Sequence, residues 1–149
     1  MRKLVMFLLA LISWDSCAFA QCEPSTFVFS FSPGVTTSGA FLSMEGGIWP
    51  IAGKVGVMAG PIMYDEKVRT TKGTEKLTRV DAMARVIYKI TETGSDHPQL
   101  VTLFATVRGL LGASYRAYWS ISDTQLLGIE PMFISRLGPG VNILFTARL

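Results

Sequence analysis

Five charged residues stand at mid-strand spacing among apolar neighbours: Glu45, Arg85, Arg108, Arg116 and Glu130. Each occupies the polar phase of a period-two alternation, so carboxylates and guanidinium groups are predicted on one side of a sheet. Withdrawn from water, such groups must pair, because an unpartnered interior charge is costly. The chemistry this pattern predicts is therefore an internal ionic network. The plainer disposition of the same residues is a solvated sheet face.

Catalytic combinations are sparse. His97 is the sole histidine and falls in a turn, beside Asp96 and one residue from Ser95. A serine–histidine–acid arrangement needs a pocket around the nucleophile, which a turn does not supply. One histidine and a lone cysteine beyond the leader, Cys22, make none of the usual nitrogen and sulfur metal sites, so neither enzyme activity nor a cofactor is expected. Asp65, Glu66, Lys67, Arg69, Lys72, Glu75 and Lys76 lie in a polar, aperiodic stretch over 65–77 that reads as one long exposed loop. Its carboxylates are diluted by lysines and arginine as cation ligands, and Lys72 and Lys76 read first as solvated loop side chains, with contact to acidic lipopolysaccharide as the alternative. No glycine loop of the phosphate-cradling kind is present, since Gly46, Gly47, Gly56 and Gly60 fall within strands, where they permit bends and close packing.

The elements that would carry these residues are strands. Alternation recurs over residues 26–32, 39–49, 54–64, 78–91, 99–110, 114–121, 126–136 and 141–149. In the first, Phe27, Phe29 and Phe31 oppose Val28, Ser30 and Ser32, and Pro33-Gly34 is read as its end. In the fourth, Val80, Ala82, Ala84 and Val86 oppose Asp81, Met83, Arg85 and Ile87. Pro131 interrupts the seventh and predicts an edge or a bulge. The last strand follows the turn Gly138-Pro139-Gly140.

Ahead of these strands, Arg2 and Lys3, a short apolar run over 4–13 and Ala18-Phe19-Ala20 form the three parts of a secretory signal, with cleavage expected before Gln21. The apolar run is about ten residues, against the ~20 of a spanning helix. The leader takes Arg2, Lys3 and Asp15 with it, which leaves twelve cationic against ten anionic side chains. Without a basic block, nucleic acid is not an expected partner. Residues 21–149 make a single domain, in which Cys22 has no cysteine to pair with.

An eight-stranded count gives about sixteen residues per strand and connection, which suits the ~9–11 residues of a tilted bilayer-crossing strand plus short turns. In a membrane barrel the apolar face meets lipid and the charged face turns inward, the reverse of a soluble sandwich. The strand 141–149 keeps its alternation to Leu149. This resembles the closing strand of bacterial outer-membrane barrels, which the insertion machinery reads, with Leu149 in place of the usual aromatic. The likeness is to the small eight-stranded OmpA-like transmembrane domain and concerns architecture over 21–149. It implies an all-β, antiparallel, up-and-down transmembrane barrel that is monomeric and embedded in outer-membrane lipid of a Gram-negative cell, with both strand termini periplasmic. Tyr64, Tyr88, Tyr115, Trp49 and Trp119 would then serve as interface aromatics.

A structural or surface-interaction role follows from that architecture, because eight strands leave no wide channel. The alternative is a soluble periplasmic, lipocalin-like barrel binding an apolar ligand, with Phe27, Phe29, Phe31, Val86 and Leu103 inside and the arginines outside.

Overall fold

A computed structural model describes residues 26–52, 54–71, 73–91 and 97–149. The leader, Cys22, Lys72, Ser95 and Asp96 lie outside the described residues.

Alternating β-branched, aromatic and small polar residues produce eight strands: β1 (Thr26–Thr36), β2 (Gly39–Ala52), β3 (Val55–Thr70), β4 (Gly73–Lys89), β5 (Gln99–Thr106), β6 (Leu111–Ser122), β7 (Gln125–Ile134) and β8 (Gly138–Arg148). Each pairs antiparallel with its neighbour, and β1 pairs with β8 from Val28↔Arg148 to Thr36↔Gly140, so the sheet closes into an up-and-down barrel. Closure removes both sheet edges, which would otherwise present unpaired amide and carbonyl groups. The start of β1, the end of β8 and the adjoining ends of β2 and β3, β4 and β5, and β6 and β7 lie at one end, the base. The adjoining ends of β1 and β2, β3 and β4, β5 and β6, and β7 and β8 lie at the other, the crown.

Proline does not end the strands where the sequence suggests. Pro33 pairs with Leu42 inside β1, which continues to Thr36. Pro131 pairs with Val141 inside β7; the closed barrel has no edge for it to occupy. On its other side the β6–β7 pairing is absent between Ser114↔Met132 and Ala117↔Ile129, with the same register resuming beyond. The same local opening without slip occurs in the β1–β8 ladder beside Pro33 and the β2–β3 ladder beside Pro61. Each proline withholds one N–H from one neighbour and leaves the other ladder intact.

Of residues 65–77, read from sequence as a loop, 65–70 and 73–77 are instead the continuation of β3 and β4. They pair from Asp65↔Thr78 to Thr70↔Gly73, forming a hairpin that stands beyond the crown rim. Its amphipathic signal is missing because this stretch has no barrel interior to face. It is anchored at its foot: Asp65 accepts from the Ala40 amide at 2.8 Å and from Thr78 at 2.9 Å and binds Lys76 at 2.8 Å, while Lys67 Nζ donates to the Thr37 carbonyl at 2.9 Å.

The two faces of the wall differ absolutely in charge. Outward side chains run Phe27, Phe29, Phe31, Pro33 and Val35 on β1; Val80, Ala82, Ala84, Val86 and Tyr88 on β4; and Val141, Ile143, Phe145 and Ala147 on β8. From base to rim, no described outward position on any strand carries a charged residue. The interior is layered. Phe41, Ile62, Tyr64, Met83, Phe104, Leu110, Met132, Ile134 and Leu137 fill the crown half. Val28, Trp49, Met58, Ile87, Leu100, Tyr118, Leu126 and Leu144 fill the base half. Trp49 and Tyr64, expected among the interface aromatics, are therefore interior; Tyr88, Tyr115 and Trp119 face outward.

Candidate functional site

Between the two apolar layers lies a set of buried charges drawn from four strands: Glu45 on β2, Arg85 on β4, Arg116 on β6 and Glu130 on β7. Strand parity delivers them, since each sits on the inward phase midway along its strand. Glycine makes the room. A Cβ at Gly60 would come within 1.8 Å of the Met44 carbonyl and 3.0 Å of Glu45 Cα. At Gly112 it would meet the Phe104 ring at 2.1 Å, so only glycine lets that ring lie where Arg85 can stack on it, 4.7 Å from its centroid.

The four charges satisfy one another. Arg85 Nη2 donates to Glu45 Oε1 at 3.1 Å, and its Nε lies 2.8 Å from Glu45 Oε2 as an ionic contact without hydrogen-bond alignment. Its Nη1 reaches Glu130. Arg116 donates from Nε to Glu130 Oε1 at 2.8 Å and from Nη2 to Glu45 Oε1 at 2.9 Å. Each arginine thus touches both carboxylates, and two charges of each sign cancel. Around them, Ser43 donates to Glu45 at 2.9 Å, Ser114 to Glu130 at 2.5 Å and Asn142 Nδ2 to Glu130 Oε2 at 3.1 Å. Arg85 also donates to Thr102 at 2.8 Å. Charge-assisted bonds of this kind are the strong ones, and together they offset the desolvation that a buried ion otherwise suffers.

Arg108, grouped with these four by alternation, is not among them. β5 ends at Thr106, Val107 and Arg108 form the turn, and Gly109 follows at φ 80°. Inward and outward parity has no meaning past the last paired residue, and Arg108 is exposed at the crown. Ser43, Thr102, Ser114 and Asn142 were not singled out from sequence. Their signal was present, as small polar residues in phase with the charged ones.

The crown gathers the loop residues differently. Glu66 on β3 lies between Arg79 of β4, whose Nε donates to Oε2 at 3.2 Å, and Arg136 of the β7–β8 turn, 3.7 Å from Oε1. Asp81 accepts from the amides of Ala82 and Arg108, at 2.8 and 3.1 Å. Glu75 accepts from Thr70 at 3.4 Å, and Arg69 projects from the exposed arm of the hairpin. Asp65 lies above the apolar wall, and its hydrogen bonds from Lys76, Thr78 and the Ala40 amide hold its carboxyl below the ordinary 3.8. His97 is exposed at the base, away from both clusters. Phe27, Phe29, Phe31 and Leu103 are exposed outside while Arg85 and Arg116 are buried inside, the reverse of the placement an apolar-ligand barrel requires.

Most donors and acceptors of the interior set are engaged; Arg85 Nε, Glu45 Oε2 and Asn142 Oδ1 make no hydrogen bond, and apolar side chains lie on both sides of the set. In comparison with known proteins, the chain matches no family model and no curated sequence.

Proposed function

We propose that this chain is an outer-membrane β-barrel, exported by its leader and inserted by the barrel-assembly machinery as a monomer. Its interior is filled, and the crown serves structural or surface-interaction roles without catalysis. The observation that carries the reading is the uncharged outer wall. On β1 it extends from Phe27 to Val35, eight residue steps. That is about 26 Å of chain at ~3.3 Å per residue, or about 20 Å along the axis at a ~40° tilt. The apolar band of a membrane barrel is ~25 Å tall.

A soluble monomer seldom exposes a contiguous apolar patch beyond a few hundred Å². Here apolar side chains encircle all eight strands, including Leu103 at 64% exposure and Ile143 at 53%. Hydrocarbon is the solvent for which such a surface needs no cover. A closed barrel is also the sheet form that satisfies every strand edge within lipid. The charged layer fits this reading as the middle of a filled lumen, packed between apolar side chains of the crown and base halves.

Cell fractionation tests the reading. The expected outcome is release from envelopes by detergent alone, with faster gel migration before boiling than after. Release by osmotic shock, with no shift on boiling, would refute it.

A further inference from the structure

The crown carries a cluster that the filled interior does not explain. Arg79, Arg108 and Arg136 come from β4, the β5–β6 turn and the β7–β8 turn, and Arg136 Nη2 donates to the Arg108 carbonyl at 3.1 Å. Arg136 has φ 69°, the sole positive value at a non-glycine among the described residues. A long side chain is disfavoured there, and strain of this kind collects at functional positions. Glycine would serve the turn with less strain, so the turn's geometry does not account for the arginine.

The donors and acceptors of this cluster are out of balance. Each guanidinium has five N–H donors. Among the described contacts Arg79 commits one, Arg136 commits one plus its longer approach to Glu66, and the Arg108 side chain commits none. Two carboxylates answer three guanidinium groups: Glu66 accepts from Arg79 and lies 3.7 Å from Arg136, while Asp81 accepts from two backbone amides. An oxyanion with several acceptor oxygens is the missing complement, and guanidinium forks match phosphate geometry.

Position selects the source of that phosphate. Arg79 and Arg108 adjoin Val80 and Val107, which are 64% and 82% exposed at the crown margin of the apolar wall. A lipid whose tails lie against that wall would bring its headgroup phosphate to their level. From the unsatisfied arginine donors at the upper margin of the apolar wall, we propose that the crown binds the phosphate of an anionic glycolipid of the surrounding leaflet. This inference rests on the membrane reading above.

The test is native mass spectrometry of the detergent-purified full chain with a bis-phosphorylated glycolipid and its dephosphorylated form. Wild type is expected to retain the phosphorylated lipid in preference, and the variant Arg108→Gln/Arg136→Gly to lose about tenfold or more of that retention. Arg136→Gly alone removes the strained φ, so it reports binding without a folding penalty; its heat-shifted migration is expected to persist. Equal retention by wild type and variant, or equal binding of the dephosphorylated lipid, would overturn the inference while detergent-dependent extraction left the membrane reading standing. Complete displacement by equimolar inorganic pyrophosphate would overturn the lipid as the source. Recovery of the protein by osmotic shock would instead strike at the membrane reading itself.

Discussion

Two ionic clusters in one barrel use the same side chains to opposite ends. In the lumen, Glu45, Arg85, Arg116 and Glu130 are buried, balanced in charge and ringed by hydroxyl and amide donors. At the crown, Arg79, Arg108 and Arg136 face two carboxylates already engaged, and their remaining donors are open. Burial makes the difference. Inside, an unmatched donor has no water to turn to, so the lumenal groups are matched almost throughout, and even Arg85 Nε, which makes no hydrogen bond, lies 2.8 Å from Glu45 Oε2. Outside, solvent tolerates imbalance, and an excess of donors becomes a means of binding.

Breaking the lumenal set should therefore have the largest effect. Glu130→Ala leaves Arg85 and Arg116 facing only Glu45, and a loss of about 3–5 kcal/mol is expected. Urea unfolding of the detergent-solubilised protein measures it. Replacing Glu45, Arg85, Arg116 and Glu130 together with apolar residues of similar volume should cost less than Glu130→Ala, because no charge is left unmatched. A multiple variant less stable than the single one would contradict this.

On the outer wall, Leu103→Arg should destabilise the lipid-embedded barrel by about 2–4 kcal/mol, the cost of arginine near a bilayer midplane. A soluble barrel would accept that substitution almost without change, so the same unfolding series in lipid vesicles sharpens the contrast between faces. Gly112→Ala probes the packing link between wall and lumen. Its methyl group must displace the Phe104 ring on which Arg85 rests, and about 1–3 kcal/mol is expected from such overpacking.

The smallest effect belongs to the crown foot. With the Asp65 carboxyl held below its usual 3.8, the anchoring it supplies is fully present above that pH. It is lost as pH falls through the lowered value. A spin label at Thr71 should gain mobility only in that acid range, without global unfolding; Asp65→Asn should show the gain at neutral pH. Label motion that is independent of pH would count against the anchor.

Much of this contrast is legible in the sequence. Phe27-Val28-Phe29-Ser30-Phe31 announces a two-sided strand, and the parity of Glu45, Arg85, Arg116 and Glu130 places four charges on the face opposite the aromatics. Arg108 was misgrouped because alternation does not mark where pairing stops; only the turn at Gly109 does. The hairpin over 65–77 was hidden for a related reason. Beyond the rim there is water on both sides, so β3 and β4 continue with no apolar face to betray them. Pro33 and Pro131 read as breaks, yet a proline interrupts just one of a strand's two ladders. The crown cluster was not legible at all, since Arg79, Arg108 and Arg136 are brought together by three separate connections.

What surrounds the outer wall decides between a membrane barrel and a soluble one, and accessibility at mid-wall addresses it directly. With Cys22→Ser and a nitroxide attached at Leu103→Cys, the envelope-inserted protein should show collision with oxygen, which concentrates in hydrocarbon, far above collision with a water-soluble nickel chelate. Dominant nickel collision at that position would mean that water, not lipid, bathes the wall, and the membrane barrel would have to be abandoned.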